Sequence, residues 1–215
     1  PDGTLAQLDS DSAITLRFDG NRRQIVMDRG QAWFKVAKDS RRPFSVRVGQ
    51  SVIRDIGTTF DVYRHAAGTT ITVTEGRVEV RTLPRVRGGT ARWMSWFGGD
   101  EPRGTLLADV GAGEQVRMTA QGTVASLGRV DVEHALAWRQ GRIAFDNQAI
   151  GQVAAEFNRY NDVQIEVDNA DIAALPISGV FDAHGVPTFV AFLRGLPGIS
   201  VEQSERRVYV RRKRQ

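Results

Sequence analysis

Apolar and polar residues alternate through most of the first 125 positions. Between residues 12 and 125, short runs place an apolar side chain at every second position, the spacing that lines one face of a β-strand. Each run is predicted to bury this face against a core and to expose the other. The apolar positions of these runs are Ile14, Leu16 and Phe18; Ala32, Phe34 and Val36; Phe44, Val46 and Val48; Phe60 and Val62; Ile71 and Val73; and Val78 and Val80.

Glycine-containing turns separate the runs, as at Gly20, Gly30, Gly49 and Gly68. Glycine reaches positive φ at little cost, so these positions suit tight turns. The segment Thr74–Glu75–Gly76–Arg77 predicts a hairpin between the strands on either side of it. Turns about every 8–12 residues predict a mainly β N-terminal domain, built as an antiparallel sandwich or a solenoid-like sheet.

Residues 84–104 interrupt this rhythm and are predicted to form a long loop insertion. The stretch is rich in glycine and also contains Trp93, Trp96 and Phe97. Large aromatic side chains are costly to expose, so they either fold back onto the domain or form a contact patch. Trp93 and Trp96 are therefore candidate partner-binding residues.

The apolar spacing changes from a strand period to a helix period after residue 127. Residues 131–138 predict a short helix, and a strand follows at 142–145. Asn147 is a favourable N-cap residue, and apolar residues at helical spacing follow it. These residues are Ile150, Val153, Ala154 and Phe157, and a strand at 163–167 follows the helix.

The same strand–helix–strand order then occurs a second time. A strand at 177–181 precedes a helix that begins near Pro187 and stops at Gly195, and strands at 199–202 and 207–210 follow. This repetition predicts a small α+β C-terminal domain of two βαβ-like halves. The predicted organisation is a β-domain over 1–128, a linker helix over 129–140 and the α+β domain over 141–212.

Candidate chemistry is sparse along the chain. There is no cysteine, and the three histidines, His65, His134 and His184, lack the spacing of a zinc site. Gly111–Ala112–Gly113 begins like a dinucleotide loop but precedes a predicted strand in place of a helix. Asp9–Ser10–Asp11–Ser12 begins like a calcium loop but lacks its later glycine and glutamate. We therefore expect no catalytic site, no metal and no cofactor.

The bulk composition is that of an ordinary globular protein. Of the 215 residues, 41% are hydrophobic and 25% charged, as in ordinary globular domains. No apolar run approaches the ~20 residues of a membrane helix. Because the chain begins at Pro1, we expect a membrane anchor in an N-terminal part not included in it. Six basic residues in positions 206–215 are interpreted as a solvated strand end, with no nucleic acid bound.

Several segments in the first half resemble the FecR family. They are Gly30–Gln31–Ala32–Trp33–Phe34–Lys35–Val36–Ala37 with Arg42–Pro43–Phe44–Ser45–Val46, then Gly57–Thr58–Thr59–Phe60–Asp61–Val62, Val73–Thr74–Glu75–Gly76–Arg77–Val78–Glu79–Val80 and Gly113–Glu114–Gln115–Val116. In the second half, residues 138–146 and 156–160 are similar to the short N-terminal domain of secretins and TonB-dependent transporters. The segment from 83 to 109 is longer than the hairpin usually found there.

This resemblance implies a role in cell-surface signalling. FecR-like proteins are single-pass regulators of the inner membrane, and this chain resembles their periplasmic region. That region receives a signal from the N-terminal signalling domain of an outer-membrane TonB-dependent transducer. A cytoplasmic anti-sigma segment, absent here, then controls an extracytoplasmic-function (ECF) sigma factor, often for iron or siderophore uptake.

A chain of this kind is expected to work through a surface that binds a partner. The terminal strand, Arg207, Val208, Tyr209 and Val210, is predicted to be an exposed sheet edge to which a partner adds a strand. The other interpretation of this strand is an internal or merely solubilising one. Trp138 is a further candidate contact residue. The other interpretation is that this large aromatic side chain is buried in the core.

The sequence leaves three other functions open. An extracytoplasmic scaffold or carbohydrate-binding β-module would need an aromatic strip, for which Trp93 and Trp96 are the candidates. An enzyme would need a set of reactive side chains that the sequence does not contain in any known spacing. A basic nucleic-acid binder is the least favoured.

Overall fold

The computed structural model describes residues 2–55, 57–83 and 104–213. The chain divides into two compact units, Pro1–Val132 and Glu133–Gln215. Each has its own apolar core. The loop predicted at 84–104, with Trp93, Trp96 and Phe97, lies outside the described residues except for its last position.

The N-terminal unit is a large, nearly closed β-sheet. Its described strands run in the order β11-β10-β7-β6-β3-β4-β5-β8-β9, and the first two strands both pair with β3. The strands are β1 (Leu5–Leu8), β2 (Ala13–Phe18), β3 (Arg23–Lys35), β4 (Phe44–Val48), β5 (Ser51–Asp55), β6 (Thr59–His65), β7 (Gly68–Glu75), β8 (Arg77–Thr82), β9 (Leu106–Gly111), β10 (Glu114–Thr119) and β11 (Val124–Arg129).

Strand β3 organises this sheet because its two halves have different neighbours. Residues 23–29 pair with β2 and, in parallel, with β4, whereas residues 30–35 pair with β6 and with β1. The change occurs at Gly30, where φ is +78° and an added Cβ would lie 2.2 Å from Oγ of Ser12. Only glycine fits this combination of backbone conformation and close approach.

The core of the N-terminal unit contains the residues that the alternation predicts. Phe34, Phe44 and Phe60 are fully buried, with ring centroids 5.5–6.5 Å apart. The prediction is wrong at Leu16, which is 59% exposed. Strand β2 pairs only with β3 among the described strands, so its apolar face lies at the rim of the core.

The predicted hairpin at Thr74–Glu75–Gly76–Arg77 is also wrong. Strands β7 and β8 are separated by Gly76 alone but do not pair, because β7 joins β6 and β10 while β8 joins β5 and β9. Gly76 has a φ of +79°, which turns the chain sharply from one part of the sheet to another. The positive φ was predicted correctly, but the partner of each strand was not.

The C-terminal unit contains two small sheets and the predicted helices. From residue 132 onward the elements are α1 (Val132–Ala135), a 3₁₀-helix (Ala137–Gln140), β12 (Arg142–Ala149), α2 (Ile150–Tyr160), β13 (Gln164–Val167), α3 (Ala170–Ala173), β14 (Pro176–Asp182), α4 (Val186–Gly195), β15 (Ile199–Gln203) and β16 (Arg207–Arg212). Strand β12 pairs with β14, and β16 lies between β13 and β15. The two strands that flank α2, and likewise the two that flank α4, therefore belong to different sheets.

The amphipathic pattern correctly identifies α2 and α4, whose apolar faces form the core of this unit. Phe157 and Phe189 stack at 4.3 Å between ring centroids, and Phe145 contacts Phe189 edge-on. The N-cap prediction for Asn147 is wrong. This residue lies in β12 with a φ of +49°, where the pairing with β14 shifts register, and the N-cap of α2 is Ala149.

In the described part of the chain, no helix has the length and apolar character needed to cross a membrane.

Candidate partner-binding surfaces

The terminal strand β16 is the central strand of its sheet. It pairs in parallel with β13 and antiparallel with β15, so both of its backbone edges are occupied. The prediction of an exposed edge at Arg207–Val210 is therefore wrong. The apolar spacing of this strand identified which of its faces is buried, but it carried no information on how many neighbours the strand has.

Alternate side chains of β16 point to opposite faces of the sheet. Val208 and Val210 are buried in the core of the C-terminal unit. Arg207 is exposed and Tyr209 is partly exposed on the other face. Of the four predicted contact residues on this strand, only Arg207 and Tyr209 therefore have side chains that a partner can reach.

The outer face of this sheet carries a charged strip, which we define as Arg207, Tyr209 and Arg211 of β16 with their acidic neighbours. Arg207 pairs with Glu166 at 2.7 Å. Arg211 pairs with Asp168 and with Glu202, the latter at 2.9 Å. The Arg211 guanidinium also lies 4.9 Å from the ring centroid of Tyr209. The hydrogen bond to Asp168 raises the pKa of Arg211 above its ordinary value.

The charges of this strip largely neutralise one another. Two arginines face three carboxylates, and each pair is at least one-third exposed. Exposed pairs of this kind contribute little to stability but hold the side chains in a defined pattern. Such a pattern suits selective recognition of a protein surface more than tight binding of a simple ion.

The three tryptophans predicted to contact a partner do not belong to β16. Trp138 lies in the 3₁₀-helix and is only 9% exposed. Its role as a contact residue stays a prediction, and its burial fits the interpretation as a core residue. Trp93 and Trp96 lie outside the described residues.

The glycine and threonine motifs of the first half converge at one junction of strands. An added Cβ on Gly76 would lie 2.5 Å from Cγ2 of Thr58, and one on Gly57 would lie 2.4 Å from Cγ of Lys38. The buried carboxylate of Asp55 accepts hydrogen bonds from the backbone N–H groups of Gly57 and Thr58 at 2.9 and 3.2 Å. These motif residues therefore serve close packing and chain reversal.

Reactive groups do not gather elsewhere in the described residues. Across residues 2–55, 57–83 and 104–213, no three His, Asp or Glu side chains are placed to hold a metal ion. His65 lies 3.3 Å from the Thr70 hydroxyl, and its ring contacts Tyr63. Burial, together with the positive charge of Arg117, lowers the pKa of His65.

Sequence reasoning overlooked a sheet edge at β14. Among the described strands, β14 pairs only with β12, and Val180, next to its central residue, is exposed. A signal was available in the sequence, because Pro176 begins this strand and proline within sheets is confined largely to edge strands and strand starts.

Known proteins resemble this chain in both sequence and fold. Residues 1–79 match the family model described as FecR protein. The crystal structure of a proposed anti-sigma factor from Parabacteroides distasonis, at 1.65 Å resolution, has a TM-score of 0.79 and 22% identity over 100% of this chain and 92% of that chain. A second structure under the same description, at 2.50 Å, has a TM-score of 0.78 with the same identity and coverage. At this identity the likeness establishes the fold alone. No curated protein sequence matches this chain.

Proposed function

We propose that this chain, whose residues 1–79 match the FecR family model, is the periplasmic, signal-receiving region of a transmembrane sigma-factor regulator. It binds the N-terminal signalling domain of an outer-membrane TonB-dependent transducer. Binding is passed to a cytoplasmic anti-sigma segment elsewhere in the regulator, which controls an ECF sigma factor. Iron or siderophore uptake is the process that such a pathway would serve. The chain acts by binding and not by catalysis.

The family match over residues 1–79 is the observation that carries this proposal. Two further features support it. The fold likeness to proposed anti-sigma factors extends over the whole chain, including the α+β unit that the family model does not reach. That unit also carries exposed, patterned side chains and a sheet edge with an unused backbone face, the features by which one protein recognises another.

Within the α+β unit, Arg207 and Tyr209 are the proposed contact residues. Their side chains leave the sheet on its solvent face, whereas those of Val208 and Val210 pack in the core. Arg207 is held by Glu166 at 2.7 Å, so it is presented to a partner in a fixed position. Arginine and tyrosine are the residue types that most often dominate the binding energy of protein interfaces.

Calorimetric titration of this chain with the purified signalling domain of the transducer encoded beside it tests the proposal. We expect one-to-one binding with a dissociation constant below about 1 μM, which corresponds to about −8 kcal/mol. The signalling domain of an unrelated transducer is the specificity control. Absence of binding to the cognate domain, with both proteins shown to be folded by circular dichroism, would contradict the proposal.

A further inference from the structure

Strand β14 uses only one of its two backbone edges. It pairs antiparallel with β12 from Arg142↔Asp182 to Phe145↔Gly179, and no described strand lies on its other side. An unpaired edge presents a row of N–H and C=O groups at the spacing of a second strand. A further extended segment could therefore continue this two-stranded sheet.

The register identifies which residues face outward from this edge. The N–H of Ala183 donates to the carbonyl of Gly141 at 2.8 Å, which makes these two residues a hydrogen-bonded pair. Hydrogen-bonded and non-hydrogen-bonded pairs alternate along an antiparallel ladder. Phe181 and Gly179 therefore bond to β12, while Ser178 and Val180 direct their N–H and C=O groups away from it.

The side chains of this edge leave it open to a partner. Ser178, Gly179, Val180 and Phe181 carry no charge, and Val180, next to the centre of the strand, is 54% exposed. Natural edge strands are usually protected from pairing by a charged residue or a bulge near their centre. On β14 the only such protection lies at the ends, at Pro176 and Asp182.

The charged residues around Val180 indicate which kind of partner segment can add to the free edge of β14. Two carboxylates lie on the outer face of the sheet, at Asp182 and at Asp146, whose Oδ1 accepts a hydrogen bond from the Ser178 hydroxyl at 3.1 Å. Arg142 is the one cation among the outward-facing residues of the two strands. A matching segment therefore has an apolar residue beside Val180 and a lysine or arginine two positions away, beside Asp182.

We propose that β14 accepts an edge strand of the transducer's signalling domain, which adds to the β12–β14 sheet by backbone hydrogen bonding. This inference rests on the proposed function and assigns the place of strand addition to β14, in contrast to the terminal strand. The backbone groups of Ser178 and Val180 supply affinity, and Val180 with Asp182 supplies selectivity for an apolar and basic segment.

A proline at the edge tests the proposal, since it removes one of the two outward-facing N–H donors, of Ser178 and Val180, that the added strand would use. Val180→Pro deletes an N–H that β12 does not use, so the existing sheet keeps its hydrogen bonds. The matched control is Leu127→Pro on β11, the end strand of the large sheet. There the bond from the N–H of Val130 to the carbonyl of Gly113 shows by the same alternation that the N–H of Leu127 points away from β10.

We expect Val180→Pro to weaken binding of the signalling domain by about tenfold or more, and Leu127→Pro to leave it unchanged, with both variants folded by circular dichroism. Amide hydrogen exchange of the wild-type chain should slow at Ser178 and Val180 when the signalling domain is added.

If the wild type binds the signalling domain and Val180→Pro binds it equally tightly, strand addition is overturned and the proposed function stands. Equal losses in both proline variants would also overturn it. If the wild type does not bind, the proposed function and this inference fail together.

Should Val180→Pro not fold, Val180→Lys replaces it as the test. This variant keeps the backbone donor and places a positive charge where the basic segment would lie. We expect it to weaken binding by about tenfold, and Val180→Thr, which keeps the side-chain shape, to weaken it by no more than about threefold. Unchanged binding by Val180→Lys would contradict the proposal.

Discussion

The guanidinium of Arg23 is fully buried and donates from Nη1 to Oδ2 of Asp2 at 2.8 Å, with side-chain exposures of 0% and 4%. Arg23 also donates to the carbonyl groups of Ala37 and Arg42. The pair ties the N-terminal segment to β3. Strand β1 in that segment buries little apolar surface, since Leu5 and Leu8 are exposed. The ion pair therefore adds to the backbone pairing of β1 with β3 in holding the segment in place.

Substitution Asp2→Ala should lower the free energy of unfolding by about 3 kcal/mol, because it leaves the Arg23 charge buried without a counterion. The matched control is Asp11→Ala, which removes the partner of Arg29 from a pair of similar length, 2.9 Å, with exposures of 63% and 61%. We expect a loss below about 1 kcal/mol there. Urea unfolding followed by fluorescence measures both, and equal losses would show that burial of the Arg23 pair is unimportant.

The same pair predicts how stability depends on pH. Burial acts to raise the pKa of Asp2, but hydrogen bonds from Thr4 and Arg23 outweigh it and bring the pKa from 3.8 to about 2. A carboxyl whose pKa is lower in the folded protein stabilises it above the unfolded-state pKa. That contribution is lost as the pH falls from about 4 to about 2.

Comparison of the wild type with Asp2→Asn, which does not titrate, isolates this effect. The difference in free energy of unfolding between the two proteins should be constant from pH 5 to 7 and should shrink as the pH falls toward about 2. A difference that stays the same over the whole range would show that the Asp2 carboxyl does not change its pKa on folding.

The period of two predicts core residues well because burial of a strand face depends on local alternation. Phe34, Phe44 and Phe60 were all placed in the core on that basis, and all are buried. Strand pairing depends instead on contacts between residues far apart in sequence, which alternation does not encode. This is why the sequence predicts a hairpin between β7 and β8 and an edge at β16, whereas β7 and β8 do not pair and β16 is the central strand of its sheet.

Asn147 shows a second limit of sequence reasoning. Asparagine is favoured at helix N-caps and is also one of the few residue types that tolerate a positive φ. The sequence therefore fits two conformations at this position, and the chain adopts the one with a φ of +49° inside β12. The pairing of β12 with β14, which shifts register there, decides between them.

A glycine in β7 makes a strong test of close backbone packing. An added Cβ on Gly68 would lie 1.8 Å from the carbonyl oxygen of Met118, and the φ of Gly68 is +150°. Since a backbone atom of β10 cannot move aside cheaply, Gly68→Ala should destabilise the protein by about 2–3 kcal/mol.

The control for Gly68 is Gly128→Ala in β11, where an added Cβ would meet no atom within 4 Å. Its effect should lie within about 0.5 kcal/mol of zero. Thermal and urea unfolding of the two variants give the comparison. A loss at Gly128 as large as that at Gly68 would mean that the contact with Met118 is not what requires glycine.

The two faces of β16 allow its structural and contact roles to be separated by mutation. Val208 is fully buried, so Val208→Ala should destabilise the protein by about 2 kcal/mol. Arg207 is 57% exposed in its pair with Glu166, so the double variant Arg207→Ala/Tyr209→Ala should lose less than about 1 kcal/mol of stability per residue.

On binding, the double variant should have the larger effect and Val208→Ala the smaller one, because the charged strip is the proposed contact face of this sheet. We expect Arg207→Ala/Tyr209→Ala to weaken binding of the signalling domain by about threefold to tenfold, which corresponds to the removal of one exposed charge and one aromatic contact. Val208→Ala, measured at a temperature where it is fully folded, should bind like the wild type. If the double variant binds unchanged, Arg207 and Tyr209 serve solubility only, and recognition falls to other surfaces of the unit.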